Sequence, residues 1–298
     1  MSATIAFGFT GVTGSNILIT YNNKKIMLDY GCFQGHKDEA YLKNLDMYNS
    51  EIIPDQVILS HSHIDHSGNL SFLTKKGFAG NIYSTPGTKD LCDHMLIDSA
   101  KVSTKELPII SRMLRKKGNK TKVIPLYSIE DAKKCLNAKW VPVGYNTPTK
   151  IDNTAKFSFH DSCHILGSAS IKLVINNDGK PIKLWYTSDL GYDESLVCNE
   201  PEIPLDINNL IIESTYGDRS RKPIDVYQAI LDQVLDTHRR GGKLVIPAFS
   251  VGRMQTVILI LHKLYELGLI PDIKIFVDSP LGVKVTGLHS KYLWNMNE

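Results

Sequence analysis

The sequence predicts an α/β protein with two unlike parts, and three observations support this. Short β-type runs separated by turn-forming residues dominate positions 4–189. After residue 209, apolar runs of strand length alternate with amphipathic helical patterns, which is typical of a parallel sheet with crossover helices. The 298 residues are 42% hydrophobic, enough to bury more than one core.

The first part is predicted to contain two sheets. Its strands are expected at residues 4–9, 16–20, 25–29, 56–60, 155–160, 169–175 and 182–189. The turn segments GVTGS and YNNKK separate the first three strands, so these should be neighbours in one sheet. The fourth strand runs into a histidine-rich loop, and the helical pattern after that loop ends at Gly77. The last three strands require a second sheet.

The second part is predicted to alternate strands and helices. The strands are expected at 209–214, 243–249 and 273–279, and the helices at 225–242 and 252–268. In the first helix, Val226, Ile230 and Val234 form an apolar face at i, i+4 spacing. We therefore expect a boundary near residue 205, with one domain over 1–205 and a second over 206–298.

Charge and cysteine usage limit the classes of function and location. The net charge of +3 and the pI near 8.4 permit a polyanionic partner without requiring one, since a strong field needs clustered charge. Five cysteines without a Cys-x-x-Cys pair are not expected to form a disulfide framework, which fits a reducing cytoplasm. No run is long enough to cross a bilayer and the N-terminus does not resemble a signal peptide, so we expect a cytoplasmic protein.

The segment SHSHIDHSG carries the strongest chemical signal in the sequence. In an extended segment His61 and His63 point the same way, and a turn after them can direct Asp65 and His66 to a second centre. Imidazole and carboxylate together suit Zn²⁺, which keeps a coordination position open for water in catalytic sites. The alternative is a solvated turn of four polar residues. We predict two metal ions at this loop.

Two further ligands are expected at strand ends. His164 follows the strand over 155–160, and Asp189 ends the strand over 182–189, where a carboxylate could bridge two ions. On spacing alone, His164 could equally be a polar loop residue and Asp189 a turn former. Three nearby residues are not expected to be ligands: His160, Asp161 and Cys163.

Together these motifs resemble the metallo-β-lactamase superfamily, and within it the β-CASP family of RNA-processing nucleases. The matching phrases follow the family order: GVTGSNILI, LDYGCFQG, SHSHIDHSG, CHILGSAS, TSDLG, ESTYGDR, IPAFSVGRMQT and VDSPLG. The resemblance implies a metallo-β-lactamase αββα sandwich that lacks its C-terminal return, followed by a partial β-CASP domain with a parallel, Rossmann-like sheet.

The resemblance also implies roles for the metal-site residues. One zinc would be held by His61, His63 and His164, the other by Asp65 and His66, with Asp189 bridging the two. Asp29 would lie behind the ligands and orient the ligand loop.

The activity that the resemblance implies is zinc-dependent hydrolysis of RNA phosphodiester bonds by hydroxide attack on phosphorus. Asp65 would orient the hydroxide, and Glu213 in ESTYG would work with a histidine that protonates the leaving group. By the same resemblance, a Glu at this place favours RNA over DNA. The expected partner is RNA, single-stranded rather than duplex. Arg219 and Arg253 are candidates to hold phosphates, although either could be a solvated arginine.

The sequence departs from the family at its end. Family members continue beyond DSPLG and bring two later histidine motifs, whereas His289 comes too early to be either one. We therefore expect one zinc to be weakly held and the isolated chain to be weakly active. The sequence is expected to be a fragment of a longer gene product, a chain completed by a separate C-terminal chain, or a degenerate relative of the family. The expected protein partner is either that complementing chain or a second copy in a homodimer. The alternatives are a non-catalytic scaffold partner of an active paralogue and a small-molecule hydrolase of the same superfamily.

Overall fold

The computed structural model describes residues 3–9, 11–176, 179–191, 200–220 and 224–295. Two mixed sheets face each other across an apolar core, and helices cover the outer face of the first sheet. The predicted α/β class is therefore confirmed. The helix layer and the two sheets correspond to three of the four layers expected.

The first sheet has six strands in chain order. They are β1 (Thr4–Phe7), β2 (Ile17–Tyr21), β3 (Lys24–Leu28), β4 (Gln56–Ile58), β5 (Ile82–Ser84) and β6 (Trp140–Pro142). The first three pair antiparallel, as their connecting turns predict, and β3 to β6 pair parallel. The carboxyl ends of β3, β4 and β5 therefore meet at one edge of the sheet, the edge where ligands bind in parallel sheets.

The second sheet has the order β11-β10-β9-β8-β7. Its strands are β7 (Thr149–Lys150), β8 (Ala155–Asp161), β9 (Ala169–Ile175), β10 (Ile182–Tyr186) and β11 (Asn209–Ile211). Because β9 runs antiparallel to both neighbours, the β8–β9 loop and the end of β10 lie at the same edge. The two predicted ligands of this part lie here, with His164 in the β8–β9 loop and Asp189 shortly after β10.

The described chain also contains eight α-helices and one 3₁₀ helix. They are α1 (Lys37–Asn49), α2 (Ile64–Ser67), α3 (Leu70–Lys75), α4 (Pro86–Lys116), α5 (Ile129–Leu136), α6 (Val226–Arg239), α7 (Arg253–Glu266), α8 (Pro280–His289) and the 3₁₀ helix Ser290–Asn295. Caps define several ends: the Thr85 hydroxyl accepts from the Thr88 amide at the start of α4, and Ser128 and Asp131 form a capping box on α5. None of the described helices is both long and apolar enough to cross a membrane.

Two apolar cores follow from the alternation of side chains along the strands. Between the sheets, side chains of β2 and β3 such as Ile19 and Leu28 join a cluster with Phe157 and Ile171 of the second sheet. On the other face of the first sheet, Val57 and its neighbours pack against α3, α4 and α5. The predicted metal loop, residues 61–66, lies at the end of these two layers.

The separate parallel sheet predicted for residues 206–298 is not found among the described residues of that range. The first predicted strand is present only as β11, which pairs with β10 and so joins the second sheet. The segments 243–249 and 273–279 are not strands, and no strand of the described ranges pairs with them. Their apolar side chains stay exposed, with Phe249 at 79% and Phe276 at 83%. The two predicted helices are present as α6 and α7 and pack against each other.

Asp152 links the two sheets at the end away from the predicted metal loop. Its carboxylate accepts from the amide and hydroxyl of Thr154 and the amide of Ala155 in the β7–β8 connection. It also accepts from the buried Tyr21 hydroxyl at 2.9 Å and the Lys24 ammonium at 2.7 Å, both in the β2–β3 hairpin. One side chain thus closes a loop of one sheet onto a hairpin of the other.

We expect Asp152→Ala to lower the free energy of unfolding by about 1–3 kcal/mol at neutral pH, because the buried Tyr21 hydroxyl loses its acceptor. Burial acts to raise the pKa of Asp152, but its hydrogen bonds, with that of Lys24 foremost, hold it below the ordinary value. A carboxyl group whose pKa is lowered in the folded protein stabilises the fold at pH values above its unfolded pKa of about 4. This stabilisation is lost as the pH falls below that value toward the folded-state pKa. Urea unfolding should therefore show a difference from wild type that is full at pH 7 and shrinks below about pH 4. Equal stabilities at pH 7 would contradict the assignment.

Candidate metal centre

Four of the predicted ligands form one group. The ligand atoms of His61, His63, His164 and Asp189 all lie within 4.8 Å of one another. His164 Nε2 is 3.0 Å from His63 Nδ1, and Asp189 Oδ2 is 3.4 Å from His164 Nε2 and 3.9 Å from His61 Nε2. The ligand atoms converge although His61 and His164 are far apart in the sequence.

The remaining two ligands form a second group with the same aspartate. Asp65, His66 and Asp189 offer ligand atoms that also lie within 4.8 Å of one another. Asp189 Oδ1 is 3.1 Å from His66 Nε2, while its other oxygen faces the first group. The structure therefore brings all six predicted ligands together, with Asp189 between the two groups as a bridging carboxylate would be.

The turn after His63 separates the two groups. The segment after β4 reaches His63, which precedes the first residue of α2. The short helix then carries Asp65 and His66 round to the second group. It is fixed to the segment after β3, because the Tyr30 amide donates to the His66 carbonyl and the Cys32 amide donates to the Ile64 carbonyl.

The loop that carries His164 is fixed by hydroxyl groups. The Gly167 carbonyl accepts from Thr85 Oγ1 at 2.5 Å and from Thr88 Oγ1 at 2.8 Å, both at the start of α4. The Ser168 hydroxyl accepts from the amide of His164 at 3.0 Å. Gly167 has φ +77° and its Cα lies against the α4 backbone, so this position requires glycine. His164 is thereby held toward the groups from the opposite sheet.

Asp29 lies behind the ligands and has no exposed surface. Its Oδ1 accepts from the Ser60 amide at 2.7 Å. Its Oδ2 accepts from His66 Nδ1 at 2.7 Å, from the Ser60 hydroxyl at 2.8 Å and from the Tyr186 hydroxyl at 2.8 Å. A His66 ring that donates from Nδ1 presents Nε2 to the second group.

The three imidazoles of the first group are held neutral. Burial lowers the pKa of His61 well below its ordinary value, and the charges of neighbouring histidines lower it further. Burial and the charge of His164 lower the pKa of His63 to about 3. Burial likewise lowers the pKa of His164, against the opposing charge of Asp189. Neutral imidazole is the form that binds a metal ion.

The second group has a different charge pattern. Burial opposes a charge on His66, but Asp29 and Asp189 outweigh it and raise the pKa of His66 well above its ordinary value. Burial also acts against ionised Asp189, yet the hydrogen bond and charge of His66 lower its pKa to about 2. Burial raises the pKa of Asp65. A cation at this place would supply the positive charge that a proton on His66 otherwise provides.

The donor set fits divalent metal ions. His61 Nε2 is buried, and within the described part of the chain it has no hydrogen-bond partner. A buried ring nitrogen without a partner costs free energy unless something binds it, and it points into a cluster of imidazole and carboxylate ligands. Borderline-soft ions such as Zn²⁺ take this mixture of ligands.

The other predicted site residues lie around this centre or outside it. Glu213 is half-buried and Arg253 is exposed at the start of α7, and the charges of both act on the pKa of His164. The Glu213 carboxylate accepts from the Thr215 amide at 2.8 Å. Arg219 lies in the exposed turn after β11, where its guanidinium pairs with Asp218 at 2.9 Å.

Two histidines that the sequence did not predict to be ligands, His160 and His289, lie elsewhere in the structure. His160 pairs with Glu202 at 3.0 Å and packs against Trp185 on the second sheet. His289 is buried in α8, with its Nδ1 2.9 Å from the Val285 carbonyl. Neither histidine belongs to the two ligand groups that the described residues form.

Sequence reasoning missed the residues that touch the ligands or Asp29 from behind, among them Ser60, Tyr186 and Ser188. The Ser60 and Ser188 hydroxyls lie 3.0 and 3.2 Å from His61 Nδ1. Both serines directly precede a predicted ligand in the chain, which is the only signal that could have indicated them. Serine is too common at such places to be chosen on that basis.

Comparisons with known proteins agree with these observations. Residues 9–133 match the family described as Metallo-beta-lactamase superfamily. Ribonuclease TTHA0252 of Thermus thermophilus is 29% identical over 96% of this chain and 60% of its own length. Transcription termination factor FttA of Methanosarcina mazei is 31% identical over 97% of this chain and 44% of its own length. Endoribonuclease YSH1 of Yarrowia lipolytica is 28% identical over 94% of this chain and 32% of its own length.

The chain thus spans less than two thirds of the length of these relatives. The matches nevertheless extend over nearly all of its own residues, including the flanking part after residue 205. They confirm the resemblance predicted from the motifs. The chain contains a metallo-beta-lactamase superfamily domain and is a homologue of proteins named as ribonucleases and transcription termination factors.

Proposed function

We propose that this chain is a zinc-dependent hydrolase of RNA phosphodiester bonds. The observation that carries the proposal is the meeting of six ligand side chains, from three separate parts of the chain, in two groups that share Asp189. The ribonuclease and endoribonuclease names of its homologues support RNA as the substrate. Three neutral imidazoles in one group favour zinc over harder ions such as magnesium. When bound, two such ions lower the pKa of a water molecule and neutralise charge that develops on phosphate oxygens.

The acidic side chains have distinct tasks in this proposal. Asp65 is the partly buried carboxyl of the second group, where it orients the attacking water and takes part in moving its proton. Asp189 would contribute to holding both ions, because one of its oxygens lies near His66 and the other near His164. Glu213 lies outside the ligand groups but close enough to His164 for its charge to act on that ring, which suits a role at the leaving group.

Substrate binding is assigned to the part of the chain that flanks the ligands, after a boundary near residue 205. Arg253 is exposed at the N-terminus of α7, where a guanidinium and helix amides both attract phosphate. Arg219 is the second candidate. The ligands are recessed, with His61 fully buried and the Asp189 side chain only 31% exposed. A flexible single strand reaches a recessed centre more easily than an A-form duplex does, so we propose single-stranded RNA.

The proposal is tested by incubating zinc-loaded protein with end-labelled single-stranded RNA, with protein in excess so that slow cleavage is detected. We expect cleavage that requires zinc and is absent in His61→Ala. Glu213→Gln should lower the rate about 10²-fold or more without changing the zinc content. Asp206→Asn is the control, because it neutralises an exposed acid that pairs with Lys183 outside both ligand groups and should cleave like wild type. Protein that carries both ions yet cleaves no RNA would refute the proposal.

A further inference from the structure

We propose that Ser60 is a positioning residue of the metal centre: its hydroxyl links Asp29 to His61, so that one buried carboxylate orients a histidine in each ligand group. The inference rests on the metal centre of the proposed function. It concerns the hydrogen bonds that join the two groups from behind, through atoms that do not themselves bind metal.

The direction of the hydrogen bonds follows from what each atom can donate. A carboxylate only accepts, so the single hydroxyl hydrogen of Ser60 is committed to Asp29 Oδ2 at 2.8 Å. The Ser60 oxygen can then only accept from the nitrogen that faces it, His61 Nδ1 at 3.0 Å. The Ser60 hydroxyl therefore favours a proton on Nδ1 of His61.

A second serine completes the arrangement. Ser188 is buried, and its Oγ lies 2.6 Å from Ser60 Oγ and 3.2 Å from His61 Nδ1. By donating to Ser60 it uses the remaining lone pair of that oxygen, and it offers a second acceptor to Nδ1. With the proton on Nδ1, the lone pair of His61 is on Nε2, the buried atom that faces the first ligand group.

On the side of the second group, the hydrogen bond from the histidine to Asp29 is direct. Asp29 Oδ2 accepts from His66 Nδ1 at 2.7 Å, which leaves His66 Nε2 facing the second group. The same carboxylate oxygen thus selects Nε2 as the ligand atom of one histidine in each group. It acts on His66 by contact and on His61 through the Ser60 hydroxyl.

The geometry allows the hydroxyl to be removed without releasing the loop. The Ser60 amide donates to Asp29 Oδ1 at 2.7 Å, and alanine keeps this bond. Ser62 supplies a matched control, because it is equally buried in the same loop and its hydroxyl has no hydrogen-bond partner in the described part of the chain. Ser62→Ala removes the same atom at the same depth without touching the link.

The test is a stepwise zinc titration against a competing chelator, with the visible spectrum of the cobalt-loaded protein as a second readout. Ser60→Ala should weaken one of the two binding steps about 10–100-fold, the range typical of residues that orient a metal ligand. That step should be the one lost in His164→Ala, and the cobalt spectrum of the same site should change. Ser62→Ala should match wild type, and Ser60→Thr, which restores the hydroxyl, should recover most of the affinity.

Three results would overturn the inference alone: unchanged zinc affinity in Ser60→Ala, an equal loss in Ser62→Ala, or equal weakening of both steps. Each of these leaves the proposed metal centre intact, because wild-type protein still binds zinc. A wild-type chain that is folded and binds no zinc would instead overturn the proposed function, and the inference with it.

Discussion

Replacing Asp189 with alanine is expected to disrupt both metal positions at once. Its two oxygens face different groups, one 3.1 Å from His66 Nε2 and the other 3.4 Å from His164 Nε2. The change removes a ligand from each group and leaves the buried His66 beside Asp29 as its remaining carboxylate partner. Zinc affinity at both steps should fall at least about 100-fold, beyond the loss typical of a residue that only orients a ligand. Zinc titration with a competing chelator measures this.

Asp206→Ala is the control for that variant. Asp206 is an exposed acid that pairs with Lys183 on the second sheet and lies outside both ligand groups. It should bind zinc like wild type. An Asp189→Ala protein that still takes up two ions with wild-type affinity would show that the carboxylate does not bridge. A loss confined to one step would place Asp189 in a single group.

Gly31→Ala is expected to have the largest effect on folding of the metal loop. A Cβ at this position would lie 1.6 Å from the Asp65 carbonyl oxygen and 2.2 Å from its carbonyl carbon, both far closer than van der Waals contact. The chain cannot move aside easily, because the Gly31 amide donates to the Ser15 carbonyl and the Cys32 amide donates to the Ile64 carbonyl. The free energy of unfolding should fall by at least about 3 kcal/mol, and α2 with its two ligands should be displaced.

Urea unfolding and zinc content of the purified variant test this together. Gly11→Ala provides the comparison, since a Cβ there would meet no atom within 4 Å and its effect should stay below about 0.5 kcal/mol. If Gly31→Ala unfolded at the wild-type urea concentration and kept its zinc, the close approach of these two backbone segments would not be required.

The sequence predicted those elements whose signal is local. Strand β9 was expected at 169–175 and has these bounds, because apolar side chains at alternate positions indicate a strand without knowledge of its partners. Helices α6 and α7 followed from their apolar faces. In contrast, α1 was missed because its apolar face is weak, and α4 because Pro108 interrupts its helical pattern.

The failed strands show where local signals end. Residues 243–249 have the composition of a buried strand, but a strand exists only where another strand accepts its backbone hydrogen bonds. The sequence does not state that partner. Strand β11 does have a partner, but that partner is β10 of the second sheet and not a strand of the separate parallel sheet that was predicted.

The site divides in the same way. The ligands could be predicted from residue type and spacing, since few other roles bring three histidines and an aspartate into one short loop. The link behind them could not, because Asp29 meets Ser60 and Tyr186 across 31 and 157 positions of sequence. Only the packing of one sheet on the other brings the Tyr186 hydroxyl to this carboxylate.

The most direct test of the account is the zinc content of the folded chain after loading and removal of free metal, measured by plasma mass spectrometry. The geometry predicts two zinc positions per chain, with the ion of the second group held more weakly, as expected from the sequence. Both ions should be reduced in Asp189→Ala, and the ion of the first group should be lost in His164→Ala. Folded wild-type protein without zinc would contradict the assignment of these six residues as ligands, and with it the proposed hydrolysis of RNA.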